Sequence, residues 1–191
     1  MKTIHIFILF LVVVIIQLFV PAKMILGRED VLTTGTLYKF KTRPIDPNDP
    51  FRGKYITLRY ELNKAKSTDS TWKRGDRIFV YLKEDSLGYA KLHSVSKVKI
   101  ENNKDYFETK VKWRSKTSNE VSFNLPFDRF YMEEFKAKPA EDAYNISSRE
   151  RNIIEKPTYA LVAIKDGKSV LKNVFINEVP IADYIKKEDN Q

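Results

Sequence analysis

The run from Ile4 to Val20 is apolar at every position except His5 and Gln17. A bilayer offers backbone groups no water to bond, so a segment of this kind that enters one must be helical. At ~1.5 Å per residue the run is just long enough to cross the hydrocarbon core. A cleaved signal peptide is the rival reading, because Val20, Pro21 and Ala22 resemble a small-residue processing site. Signal cores run only about 7–15 residues, which favours a retained anchor and a membrane contact through Ile4 to Val20. Lys2 flanks one end while Lys23 and Arg28 flank the other, so these charges do not set an orientation.

The expected organisation is a transmembrane anchor over residues 1–22, a juxtamembrane linker over 23–30, a β-rich domain over 31–180 and a polar tail over 181–191. A chain of 191 residues leaves room for one domain with a real core behind the anchor. Lys and Arg number 34 against 25 acids, a net charge of +9. That balance favours acidic partners such as lipid head groups, envelope polymers or nucleic acid. The cations are interleaved with acids, and no dense basic block of the kind specific nucleic-acid binding uses is present. With no cysteine, disulfides, thiolate metal sites and a cysteine nucleophile are excluded. There are two histidines and one of them, His5, lies in the apolar run, which makes a zinc site implausible. No cofactor and no small-molecule ligand are expected.

Residues 43–60 read RPIDPNDPFRGKYITLRY. Taken in threes, Pro44, Pro47 and Pro50 share one class, and Arg43, Asp46, Asp49 and Arg52 share the next. A polyproline II segment has three residues per turn, so it would present a proline edge and a charged edge. Each proline also fixes its own φ and pushes its predecessor toward extended geometry. Two readings stand: a stiff surface presented to a partner, or a rigid connection whose charges pair internally or cap turns. After Gly53, placed for a kink, the pattern changes to period two. Ile56, Leu58, Tyr60 and Leu62 fall on one face, and Tyr55, Thr57, Arg59 and Glu61 on the other.

The run Gly53-Lys54-Tyr55-Ile56-Thr57-Leu58-Arg59-Tyr60 resembles the signature of the GDYXXLXY protein family. Gly53, Tyr55, Leu58 and Tyr60 match, while Lys54 stands where the family usually has aspartate. The preceding Pro-rich run, the later Arg129-Phe130-Tyr131-Met132-Glu133-Glu134 and the closing β pattern are similar to the family as well. The resemblance implies a membrane-anchored bacterial protein with its domain outside the cytoplasm, and it carries over no catalytic residues. Lys54 argues against a function that needs a carboxylate there.

The rest of the chain points to a mainly β fold: one antiparallel sandwich or barrel-like domain with one or two short helices, behind the transmembrane helix. Residues 31–41 read as a strand pairing with residues 55–63, and residues 63–76 as a loop, with Trp72 packing on the sheet. Residues 77–83 form a short apolar run suited to a strand buried on both faces. Asp85 to Gly88 reads as a turn into a strand over residues 89–100. Phe107, Thr109, Val111 and Trp113 alternate with charged residues, and Val121, Phe123 and Leu125 mark another strand. Pro139 with Glu141 and Asp142 marks a helix start running to about Ile154. Asp166-Gly167 marks a hairpin.

No catalytic constellation emerges. Adjacent Glu133 and Glu134 diverge on either helix or strand. Asp46 and Asp49 lack the oxygen count a hard cation wants. His93 alone makes no triad, and six glycines form no phosphate cradle. The candidate partner-binding residues are Arg43, Asp46, Asp49, Arg52, Gly53, Tyr55, Arg59 and Tyr60, with Arg and Tyr favoured as interface anchors. The leading expectation is a non-catalytic, membrane-anchored domain that binds a membrane or envelope partner, for instance an integral membrane protein. The alternatives are a hydrolase or transferase using Asp46, Asp49 or Glu133, and a binder of anionic envelope polymer or lipid head groups.

Overall fold

The computed structural model describes residues 3–43, 55–101, 104–115, 117–132, 139 and 158–188. Helix α1 (Thr3–Thr34) opens the chain and is long and apolar enough to cross a membrane. None of its most apolar window is buried against the protein. The helix runs on through Pro21 and through residues 23–30, the expected linker. It also takes in residues 31–34, which had read as strand. Two threonines adapt to it: Thr33 Oγ1 donates to the Glu29 carbonyl at 2.8 Å and Thr34 Oγ1 to that of Asp30 at 2.7 Å. Val31, 2% exposed, packs on the domain and repays the modest helix propensity of these residues. The helix stops at Gly35, whose N–H donates to the Val31 carbonyl at 2.9 Å. A Cβ there would run into the carbonyls of Val31 and Ile164.

Twelve strands follow among the described residues: β1 (Thr36–Arg43), β2 (Tyr55–Thr57), β3 (Arg59–Tyr60), β4 (Lys64–Lys66), β5 (Arg77–Glu84), β6 (Ala90–Ser96), β7 (Tyr106–Ser115), β8 (Glu120–Phe123), β9 (Arg129–Tyr131), β10 (Tyr159–Lys165), β11 (Lys168–Ile176) and β12 (Val179–Pro180). A short helix, α2 (Ile181–Glu188), ends the described chain. One five-stranded sheet has the order β12-β11-β10-β1-β3 and the other β4-β8-β7-β5-β6, with β2 and β9 pairing separately. Parallel bridges at Lys39–Tyr89 and Phe107–Gly167 tie the two large sheets together in a near-barrel. The fold is thus mainly antiparallel β behind one long apolar helix.

Strand β1 pairs along most of its length with β10, from Thr36 opposite Ile164 to Lys41 opposite Tyr159. Its expected partner meets it only at its end, where Thr42 faces Tyr60 and Arg43 faces Arg59. The core lies between the sheets. Phe40, Tyr60, Phe107 and Phe127 meet there, with Phe40 and Phe127 centroids 4.9 Å apart and Tyr60 and Phe127 at 5.3 Å. Trp72 is buried in the same cluster, and residues 78–82 of β5 are all buried. The 63–76 segment is not all loop, since β4 pairs with β8 through Ala65 opposite Val121.

The expected apolar face of β7 holds at Phe107 and Val111 but fails at Trp113, which is 39% exposed. A register shift between Val111 and Trp113 turns the indole outward, where Lys64 sits 5.4 Å from its ring centroid. Asp166 and Gly167 adopt φ of 49° and 79°, the left-handed pair that a two-residue hairpin turn requires. The end of the chain departs from the expected polar tail: Ile181 is fully buried and holds α2 to the core. The helix expected from Pro139 to about Ile154 lies, beyond Pro139 itself, outside the described residues.

Candidate functional site

Of the candidate partner-binding residues, Arg43, Tyr55, Arg59 and Tyr60 are described; Asp46, Asp49, Arg52 and Gly53 lie outside the described residues, as do Glu133 and Glu134. Arg43 and Arg59 are both exposed and stand directly opposite one another across β1 and β3. Tyr60 points the other way. It is 4% exposed, and its hydroxyl donates to the Phe127 carbonyl at 2.7 Å. Tyr60 therefore belongs to the core, whereas Tyr55, five residues earlier on the opposite face, remains half-buried at the surface.

Tyr55 leads to residues the sequence reading had not placed in a site. It faces Tyr131 across β2 and β9, with ring centroids 5.4 Å apart. The Arg129 guanidinium lies 5.0 Å from the Tyr55 centroid. A hydrogen bond with Tyr131, and then the field of Tyr55, hold Arg129 further on its charged side than usual. Tyr131 is 65% exposed. The three side chains form a small aromatic and cationic platform. Its signal in the sequence is the Arg129-Phe130-Tyr131 run, part of the family likeness. Phe130 between them faces inward against the core.

The platform borders a groove of about 980 Å³ between α1 and the β domain. One wall is a face of α1 that includes Phe19, Val20, Lys23 and Gly27, and the other includes Arg129, Tyr131 and Lys168. Lys165 and Val31 hold the walls together. Lys165 Nζ donates to Asp30 Oδ1 at 2.8 Å and to Thr34 Oγ1 at 2.7 Å, and Val31 buries itself below them. The Lys165 hydrogen bond is the main cause that keeps the Asp30 carboxyl below its ordinary range.

Among the described residues no three His, Asp or Glu side chains converge as metal ligands. His93 is exposed on β6. Tyr159, whose hydroxyl is raised by burial and by its bond to Glu178 at 2.8 Å, is satisfied within the sheet and stacks on Phe175 at 5.0 Å.

Fold and surface together define a β-rich domain with an aromatic and cationic platform beside a long apolar helix. Residues 17–174 match the model of the GDYXXLXY protein family, and the chain belongs to that family. No curated protein and no solved structure matches the chain.

Proposed function

We propose that this chain is a membrane-tethered, non-catalytic binding domain that engages an integral membrane or envelope protein through Tyr55, Arg129 and Tyr131. In this reading α1 is a retained anchor and the β domain lies outside the cytoplasm. The observation that carries it is the position of the platform: Arg129 and Tyr131 line the same groove as Phe19 and Val20 of the apolar helix. A surface so close to the anchor meets partners that share the bilayer. Tyrosine suits that level, because its ring is apolar and its hydroxyl is wet. Arginine held over tyrosine is also favoured composition for an interface anchor. The opposed Arg43 and Arg59 add positive charge near the platform's strand, which favours an acidic partner surface.

The test is photo-crosslinking of the full chain in native membranes from a benzophenone amino acid at Tyr55, with a control probe at the exposed Leu87. A discrete protein adduct from position 55 that is absent from position 87 is the expected result. Lipid adducts alone, or no adduct, would overturn the reading.

A further inference from the structure

We infer that the groove between α1 and the β domain holds one anionic phospholipid of the bilayer that α1 crosses. This rests on the anchor reading above. At ~1.5 Å per residue and with ~30 Å of hydrocarbon to cross, a helix entering near Thr3 leaves the apolar core about twenty residues on, near Lys23. The groove straddles that level. Phe19 and Val20 line its hydrocarbon end, while Lys23, Arg28 and Lys168 line the end at head-group depth. An amphiphile with an apolar tail and an anionic head matches this gradient in both polarity and charge. Two carboxylates also face the groove, Glu108 and Asp128. Glu108 is drawn to Arg77 at 3.9 Å, which leaves the rim net cationic.

Gly27 makes the space. It follows Val20 and Lys23 on one helix face, at intervals of three and four residues. A Cβ added there meets nothing within 4 Å, so its missing side chain opens the groove rather than relieving a clash. The next residue on that face, Val31, closes the floor against the domain.

The experiment uses the full chain reconstituted in vesicles of phosphatidylcholine with one quarter phosphatidylglycerol, then released for native mass spectrometry. One retained phosphatidylglycerol, enriched over its share of the bilayer, is expected. Replacing Lys23, Arg28 and Lys168 by Gln should remove that enrichment and return the retained phosphatidylglycerol toward its one-quarter share. Gly27→Leu, at a position where a Cβ meets nothing within 4 Å, puts bulk into the groove and should lower retention of any lipid. Flotation with the vesicles reads the anchor separately, and both variants should float like the wild type. A floating chain that retains no lipid, retains it without head-group preference, or keeps its preference in the triple variant overturns the groove assignment alone. A chain that does not float with the vesicles overturns the anchor and the lipid together.

Discussion

Asp30 near the end of α1 and Lys165 at the end of β10 stand 2.8 Å apart across 135 residues of sequence. Between them they fix where the apolar helix meets the sheet. The pair is exposed, so its worth lies in geometry more than in energy. It sets the helix beside the β10–β11 hairpin, and the groove follows from that placement.

Asp30 makes the junction pH-dependent, with a defined sign. Its carboxyl is held below the ordinary value of 3.8 by the Lys165 bond. The contribution is therefore fully present above that value and fades as pH falls through the lowered one. In hydrogen exchange on the full chain in detergent at neutral pH, Asp30→Asn should speed exchange of the Val31–Gly35 amides. The difference from wild type should vanish in strong acid. Equal exchange at neutral pH would mean that Val31 alone holds the junction.

Tyr60 and Arg59 are neighbours with opposite roles. Tyr60→Phe strands the buried Phe127 carbonyl and should cost about 1–3 kcal/mol in urea unfolding. Arg59→Ala, at an exposed position, should stay within about 0.5 kcal/mol. If instead Tyr60→Phe leaves stability unchanged, its hydroxyl is not part of the core.

Local signals in the sequence were read well where one strand or turn decided the outcome. The run Ile78 to Leu82 announced a strand buried on both faces, and Asp166-Gly167 announced its hairpin. The alternation from Tyr55 to Tyr60 separates core from surface, and it places Tyr60, one of the candidate contacts, in the core. Long-range choices were not legible. Nothing local pairs β1 with β10, and the nearer strand captures only the last two positions of β1. Val31 to Thr34 look like strand by composition, but burial of Val31 against the domain overrides that propensity. The platform itself comes from register: Tyr55 meets Tyr131 only because β2 and β9 pair, 76 residues apart by sequence number (131 − 55).

The hairpin beside the groove depends on Gly167. Its φ of 79° is unfavourable for any side chain, and a Cβ would stand 2.7 Å from the Tyr106 ring. Gly167→Ala should destabilise the domain by about 1–3 kcal/mol in the same assay. A neutral effect would show that the turn can relax away from Tyr106.

Acid should spare the loop around Trp72. The Asp69 carboxyl accepts from the Thr71 hydroxyl at 2.6 Å and its N–H at 2.7 Å, and pairs with Lys97 at 3.2 Å. Chiefly the Thr71 hydrogen bonds hold its pKa down to about 2. Lys97 in turn lies 4.8 Å from the Trp72 centroid. A lowered carboxylate stabilises the fold above 3.8 and loses that effect only as pH falls toward about 2. Fluorescence of Trp72 in a Trp113→Phe background should hold its position down to about pH 3, while Asp69→Ala should shift it at neutral pH. A red shift beginning near pH 5 in the parent would contradict this.

The tether is the claim on which the proposed partner surface and the lipid site both rest. Alkaline carbonate extraction of native membranes, followed by intact-mass measurement of the recovered chain, tests it most directly. The expected result is a chain that stays in the membrane pellet and still carries residues 1–22. A chain found in the soluble fraction, beginning near Ala22, would mean that the apolar run is a cleaved leader and that the domain has no tether.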